Sequence, residues 1–212
     1  MTAKNDILSK IRPATVHALG MCEAEYAAIP RAYRQSATLD SSSRIRLFAE
    51  RLQEYEATVH RCAESQIQET VARALAARRK RTLLVPPGMP SEWLPSSVAF
   101  LRDEGLTFDE IDQSEGVMTG CAIAIAVTGT IVLRHSPGEG RRALTLIPDY
   151  HLCVVFTKQV VESVPEGIRE MAKFGNSPMT TISGPSATSD IEMTRVKGVH
   201  GPRTLDVILV GE

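Results

Sequence analysis

The feature that most constrains this chain is a change of apolar period at residue 82. Before it, Ile45, Phe48, Leu52, Tyr55 and Val59 recur every three or four residues, and Ile67, Val71, Ala74 and Leu75 do the same. That spacing lays apolar side chains along one stripe of a helix, so two amphipathic helices are predicted, the first capped by Ser41-Ser42-Ser43. Beyond residue 82 the pattern shortens. Thr82-Leu83-Leu84-Val85 is an apolar run stopped by Pro86-Pro87-Gly88, and similar runs at 121–127, 130–133, 152–156 and 205–210 read as strands. Helical stretches are predicted between them at 90–94, 98–104, 158–163 and 166–174, with Pro165 near the start of the last. Alternating strands and helices predict an α/β layered domain with a largely parallel sheet over residues 82–212. A helical N-terminal arm, residues 1–81, precedes it and packs on it. A chain of 212 residues suits one structural domain overall.

Charge follows the same boundary. The whole chain carries a net charge of -1, so no overall field draws it to nucleic acid or to an anionic membrane. Residues 1–81 nevertheless hold five more basic than acidic side chains, and residues 82–212 six more acidic than basic. The arm is therefore a candidate for docking a partner. Arg78-Arg79-Lys80-Arg81 reads as a cationic last helical turn that complements the macrodipole, or as a patch for phosphate or a partner. The four cysteines, Cys22, Cys62, Cys121 and Cys153, form no paired motif, so neither a structural zinc nor an iron–sulfur cluster is expected on this chain. The N-terminus lacks the apolar core of a signal peptide and no apolar run is long enough to cross a bilayer. A cytoplasmic protein with reduced thiols is the expectation.

Five segments could carry chemistry. In Thr128-Gly129-Thr130 a glycine between two hydroxyl residues permits either an ordinary turn or a close backbone approach to a ligand. Gly184-Pro185-Ser186, followed by Thr188, Ser189 and Asp190, reads as a turn into a helix start that offers N–H and hydroxyl donors to an anion. The same residues make good caps, Ser189 and Glu192 fitting a capping box. His200, flanked by Gly198 and Gly201 just before the last strand, is placed for proton transfer or for a hydrogen bond to its own loop. The loop Arg134–Arg142 gathers three arginines and His135 in the acidic half and suits a carboxylate or phosphate, or plain solvation. In Pro148-Asp149-Tyr150-His151, His151 is either a buried hydrogen-bonded histidine or a site residue. The glycine fingerprints of dinucleotide and nucleotide sites, the nucleophile elbow and the zinc-protease helix are all missing.

Taken in order, the TGT segment, the Pro-x-x-His strand, Ile182-Ser183-Gly184-Pro185-Ser186-x-Thr188-x-Asp190-Ile191-Glu192 and Gly198-Val199-His200-Gly201-Pro202 resemble the LUD domain. Within it the chain is similar to the lactate utilization protein C (LutC/YkgG) family. The resemblance implies a fold like that of the NagB/RpiA/CoA-transferase superfamily. It also implies a place in oxidising L-lactate to pyruvate, beside a cysteine-rich and a ferredoxin-like protein that carry the iron–sulfur clusters. Two positions depart from the family pattern, Val127 standing where Glu is usual and Ala187 where Arg is usual. Valine can neither bind a cation nor form an acyl intermediate. The residues expected to converge on a small anionic ligand at strand ends are Thr128, Gly129, Thr130, Gly184, Pro185, Ser186, Thr188, Asp190, His200 and Gly201, with His200 and Asp190 as candidates for catalysis. Two rival expectations are a stand-alone enzyme acting on a phosphorylated sugar or CoA-type substrate, and a catalytically silent binding or regulatory domain.

Overall fold

A computed structural model describes residues 3–15, 23–188, 196–197 and 200–211. Its contacts divide the chain into two compact units, 1–34 and 35–212. The first contains α1 (Ala3–Thr15) and α2 (Glu23–Ala28), with Ile7 and Ile11 exposed on α1.

The second unit begins with α3 (Ser41–Glu54), which buries Phe48, Ala49 and Leu52. Its cap is Asp40 rather than the serine run: the carboxylate accepts from the Ser43 backbone N–H at 2.9 Å and from its hydroxyl at 2.8 Å. The helix stops at Tyr55 because Glu56 turns left-handed, at φ 65°. Val59, in phase with the helix, therefore falls in strand β1 (Thr58–Cys62). Next comes α4 (Ile67–Ala77), burying Ile67, Val71, Ala74 and Leu75 as its period predicts.

The remaining elements are β2 (Thr82–Val85), β3 (Ala99–Arg102), α5 (Phe108–Asp112), β4 (Val117–Thr119), β5 (Ile123–Ile125), β6 (Thr130–Leu133), β7 (Tyr150–Phe156), β8 (Val160–Val161), α6 (Val164–Ala172), β9 (Thr180–Ile182), β10 (Ala187–Thr188), β11 (Val196–Lys197) and β12 (Thr204–Val210). Six strands form one sheet in the order β1-β12-β7-β4-β2-β3, every pair parallel. A smaller sheet, β8-β5-β6-β9, mixes one parallel with two antiparallel pairings. The α/β class and the largely parallel sheet are as predicted.

Three helical predictions give way. Residues 98–104 hold edge strand β3, whose register aligns Leu83 of β2 with Phe100. Residues 158–163 hold a 3-10 turn and β8, and 90–94 hold a single 3-10 turn at Ser91–Trp93. The fourth prediction stands as α6, started by Ser163, whose backbone N–H and hydroxyl both donate to Glu166.

Alternation along β7 separates two cores. Cys153 and Val155 face Phe48, Leu52, Ile131 and Val207, while Leu152 and Val154 face Val71, Leu75, Leu83 and Ile208. Each such fully buried aliphatic side chain contributes about 1.5–3 kcal/mol. Both faces of the central strands are thus covered, which explains their unbroken apolar runs. The predicted cationic last turn does not form, because α4 ends at Ala77 with no basic residue in its last turn; Arg78 follows it as the cap residue and reaches Asp206 of β12 through Nε at 3.1 Å and Nη2 at 2.6 Å. Burial pushes the Asp206 carboxyl up, but the neighbouring His60 ring, the Arg78 pair and the Tyr150 hydroxyl, 3.0 Å away, more than offset it and hold it below the usual range. Among the described residues, no helix is long and apolar enough to cross a membrane.

Candidate functional site

Strand β9 ends at Ile182, and the chain turns through Ser183, Gly184, Pro185 and Ser186. Gly184 takes φ 83°, and a Cβ there would lie 2.4 Å from Tyr55 Cβ, so only glycine makes this turn against the end of α3. Ser186 donates its backbone N–H to the Pro202 carbonyl at 2.8 Å, and its hydroxyl accepts the His200 backbone N–H at 2.9 Å. Two segments distant in sequence are thereby sewn together just ahead of β12.

They form a cavity of about 220 Å³ with Arg142, Thr145, His151 and Leu205. Gly184, Pro185, Ser186, His200 and Gly201 all line it, so five of the ten predicted residues meet there. Thr188 is described only as backbone, paired with Val196 in a two-stranded ribbon where a helix start was predicted. Asp190 and the Ser189/Glu192 capping box lie outside the described residues.

Thr128, Gly129 and Thr130 are not among the lining residues. Gly129 sits left-handed at φ 58°, and a Cβ there would come 2.9 Å from Arg51 Cβ, so the glycine serves close packing on α3. The two threonines connect to the cavity indirectly. Thr128 Oγ1 lies 2.7 Å from Thr130 Oγ1, which lies 2.8 Å from Oγ of the lining Ser183. Val127 donates its backbone N–H to the Glu162 carbonyl at 3.0 Å.

Nine of the fourteen lining residues lay outside the predicted set, and among them Arg142 and His151, both in segments that the sequence singled out, bring a cation and an imidazole. Arg142 starts the 3-10 turn Arg142–Thr145 and donates to the Thr145 carbonyl at 2.8 Å and the His200 carbonyl at 3.2 Å. Burial lowers its pKa, yet an arginine remains charged at any ordinary pH. No carboxylate among the described residues pairs with it. His151, the second residue of β7, is 1% exposed, with Nε2 2.7 Å from the Thr119 hydroxyl. Burial and the Arg142 charge drop its pKa to about 4, so it is neutral at physiological pH. The wall thus combines a fixed cation, a neutral imidazole and hydroxyl and N–H groups, a set that complements a small anion.

The cavity lies at the amino ends of β7 and β12, not at the carboxyl ends where open parallel sheets hold ligands. The cause is local: the loop entering β12 is tied to Ser186, and Arg142, in the loop entering β7, donates to the His200 carbonyl.

Three comparisons bear on kinship. The LUD domain family model matches residues 102–210. A protein of Deinococcus radiodurans named lactate utilization protein C is 44% identical over 182 residues, 84% of this chain and 85% of that one. The uncharacterized protein YkgG of Escherichia coli is 34% identical over 113 residues, 49% of this chain and 48% of its own length. The crystal structure of a DUF162 family protein from Deinococcus radiodurans superposes with a TM-score of 0.72 at 40% identity, covering 82% of this chain and all of that one. Sequence and fold agree that the chain belongs to the LUD domain family, within its lactate utilization protein C group.

Proposed function

We propose that this protein serves lactate utilization as a subunit or accessory protein, and that the Arg142 cavity binds a small carboxylate of the lactate and pyruvate class. The observation that carries the ligand reading is the half-buried Arg142 guanidinium, which lines an open cavity and has no acidic partner among the described residues. Arginine holds a carboxylate through two parallel N–H bonds, and a hydroxyl or keto oxygen on the next carbon then reaches Ser186 or the 200–202 loop. At about 30 Å³ per water, the cavity has room for a three-carbon acid. The names of the relatives supply the pathway.

Converting lactate to pyruvate removes two electrons and two protons, and the electrons need an acceptor. The buried thiols are poor candidates: burial raises Cys121 well above its ordinary range and Cys153 to about 12. In this reading the electrons pass to a cysteine-rich and a ferredoxin-like partner carrying iron–sulfur clusters, while this chain binds and positions the acid. Calorimetric titration with L-lactate, pyruvate, acetate and phosphate tests the ligand class. Saturable binding of the first two, with acetate and phosphate weaker, is expected; phosphate binding tightest would point to a phosphorylated substrate. A lactate-to-acceptor assay with the partner proteins, run with and without this chain, tests the subunit role. Turnover of a sugar phosphate or CoA ester by the isolated chain would overturn it.

A further inference from the structure

A second cavity, of about 190 Å³, lies elsewhere in the large sheet, at the carboxyl ends of β2, β4 and β7. In the large sheet the chain leaves neighbouring strands β2 and β4 in opposite directions, from β2 to edge strand β3 and from β4, by way of β5 and β6 of the small sheet, to β7. That divergence is the topological switch point, where open parallel sheets form a ligand crevice. Gly88 and Met89 follow β2, Gly120 and Cys121 follow β4, and Gly138 and Glu139 enter from the loop between β6 and β7.

Glu139 is the unusual member. It is only 8% exposed, and both hydrogen bonds to it, from the Ser136 N–H and hydroxyl, end on Oε2. Oε1 accepts none from the described residues. No cation among them pairs with it either, because Arg141 turns to Asp103 at 2.7 Å and Arg142 to Thr145 and His200. Oε1 is not sealed away from solvent, so it presents a carboxylate acceptor to any donor that replaces water in the crevice. The other polar groups are engaged: Gln159 takes the Phe156 N–H at 2.7 Å and donates to the Cys121 carbonyl, and the Cys121 thiol donates to the Ile123 carbonyl at 2.9 Å. Met89, Trp93 and Phe156 supply an apolar wall, the two rings 5.7 Å apart and tilted by 43°.

We infer that the switch-point cavity binds a flat nitrogen heterocycle, its N–H donor on Glu139 Oε1 and its ring against Trp93 and Phe156. An alkylammonium fits worse, since it brings three donors to one open acceptor, whereas a ring N–H or amino group is satisfied by one or two. The site is separate from the Arg142 cavity and does not depend on the lactate reading.

Trp93 is the only tryptophan of the chain, so its fluorescence reports on this cavity alone. The full chain is titrated with adenine, nicotinamide and butylamine, with calorimetry in parallel. A saturable emission change with at least one heterocycle and none with butylamine is expected, weakened about tenfold or more in Glu139→Gln. If Glu139→Gln melts early, Phe156→Leu, which keeps the carboxylate and removes one aromatic wall, gives the second measurement; several-fold weaker binding is expected. The inference fails if neither heterocycle saturates by tens of millimolar, if only butylamine responds, or if both substitutions leave the affinity unchanged.

Discussion

The hydroxyls of Thr130 and Ser183 stand 2.8 Å apart, joining the first residue of β6 to the residue that follows β9. Through this bond the TGT segment, which does not line the Arg142 cavity, supports a residue that does.

Thr130→Val keeps the shape of the side chain and removes that bond, leaving Thr128 and Ser183 each one partner short. A loss of about 1–2 kcal/mol in chemical denaturation is expected, with only a few-fold weaker carboxylate binding. Abolished binding at unchanged stability would instead make Thr130 a direct ligand contact.

Arg142→Met removes the cation and keeps much of the packing volume. Carboxylate affinity should fall by about 1.5–3 kcal/mol, roughly ten- to a hundredfold. Arg142→Lys should recover only part of it, because an ammonium lacks the planar fork. Equal affinities for wild type and Arg142→Met would remove the guanidinium from the site.

Burial holds His151 neutral with a pKa of about 4, against about 6.5 for a free histidine. The unfolded chain therefore takes up a proton that the folded chain refuses. The effect on stability is nil above pH 6.5, grows as pH falls through the interval, and reaches about 3 kcal/mol below pH 4. Urea midpoints measured from pH 7.5 to 4.5 should fall more steeply in wild type than in His151→Gln. Parallel curves would place the titration elsewhere.

Gly184→Ala introduces a Cβ 2.4 Å from Tyr55 Cβ at φ 83°. Neither backbone can yield cheaply, so a loss exceeding about 3 kcal/mol is expected, seen as a large drop in Tm. A shift within a degree or two would show that the turn re-forms without the left-handed residue.

Sequence periodicity revealed α3 and α4 because each buries one apolar stripe, whereas α6, which buries only Gly167, was marked by Pro165 near its start. It failed where two periods coincide. Val59 continues the α3 stripe in number but lies beyond a left-handed Glu56 that no spacing announces. Val98–Glu104 reads equally as a short helix or a strand, and pairing with β2 decides for the strand. For the site, glycine-rich loops marked Gly184, Ser186 and His200 correctly as neighbours. Arg142 and His151 stood out as single residues, but their convergence with residues 183–186 bridges 32 and more residues of sequence, which only the packed sheet brings about. The pairing of Arg78 with Asp206 spans 128 residues and has no local signature.

The placement of β12 sets the order in which the molecule can be assembled. This strand, the latest in the sequence, is an interior one, hydrogen-bonded to β1 on one side and β7 on the other. Until residues 204–210 emerge from the ribosome, β1 has no neighbour and β7 keeps a bare edge, so the nascent chain waits with two open strand faces. Residues 204–210 must be made before the sheet can close, and a chain cut between β7 and Thr204 keeps both strands open, sticky rather than merely shortened.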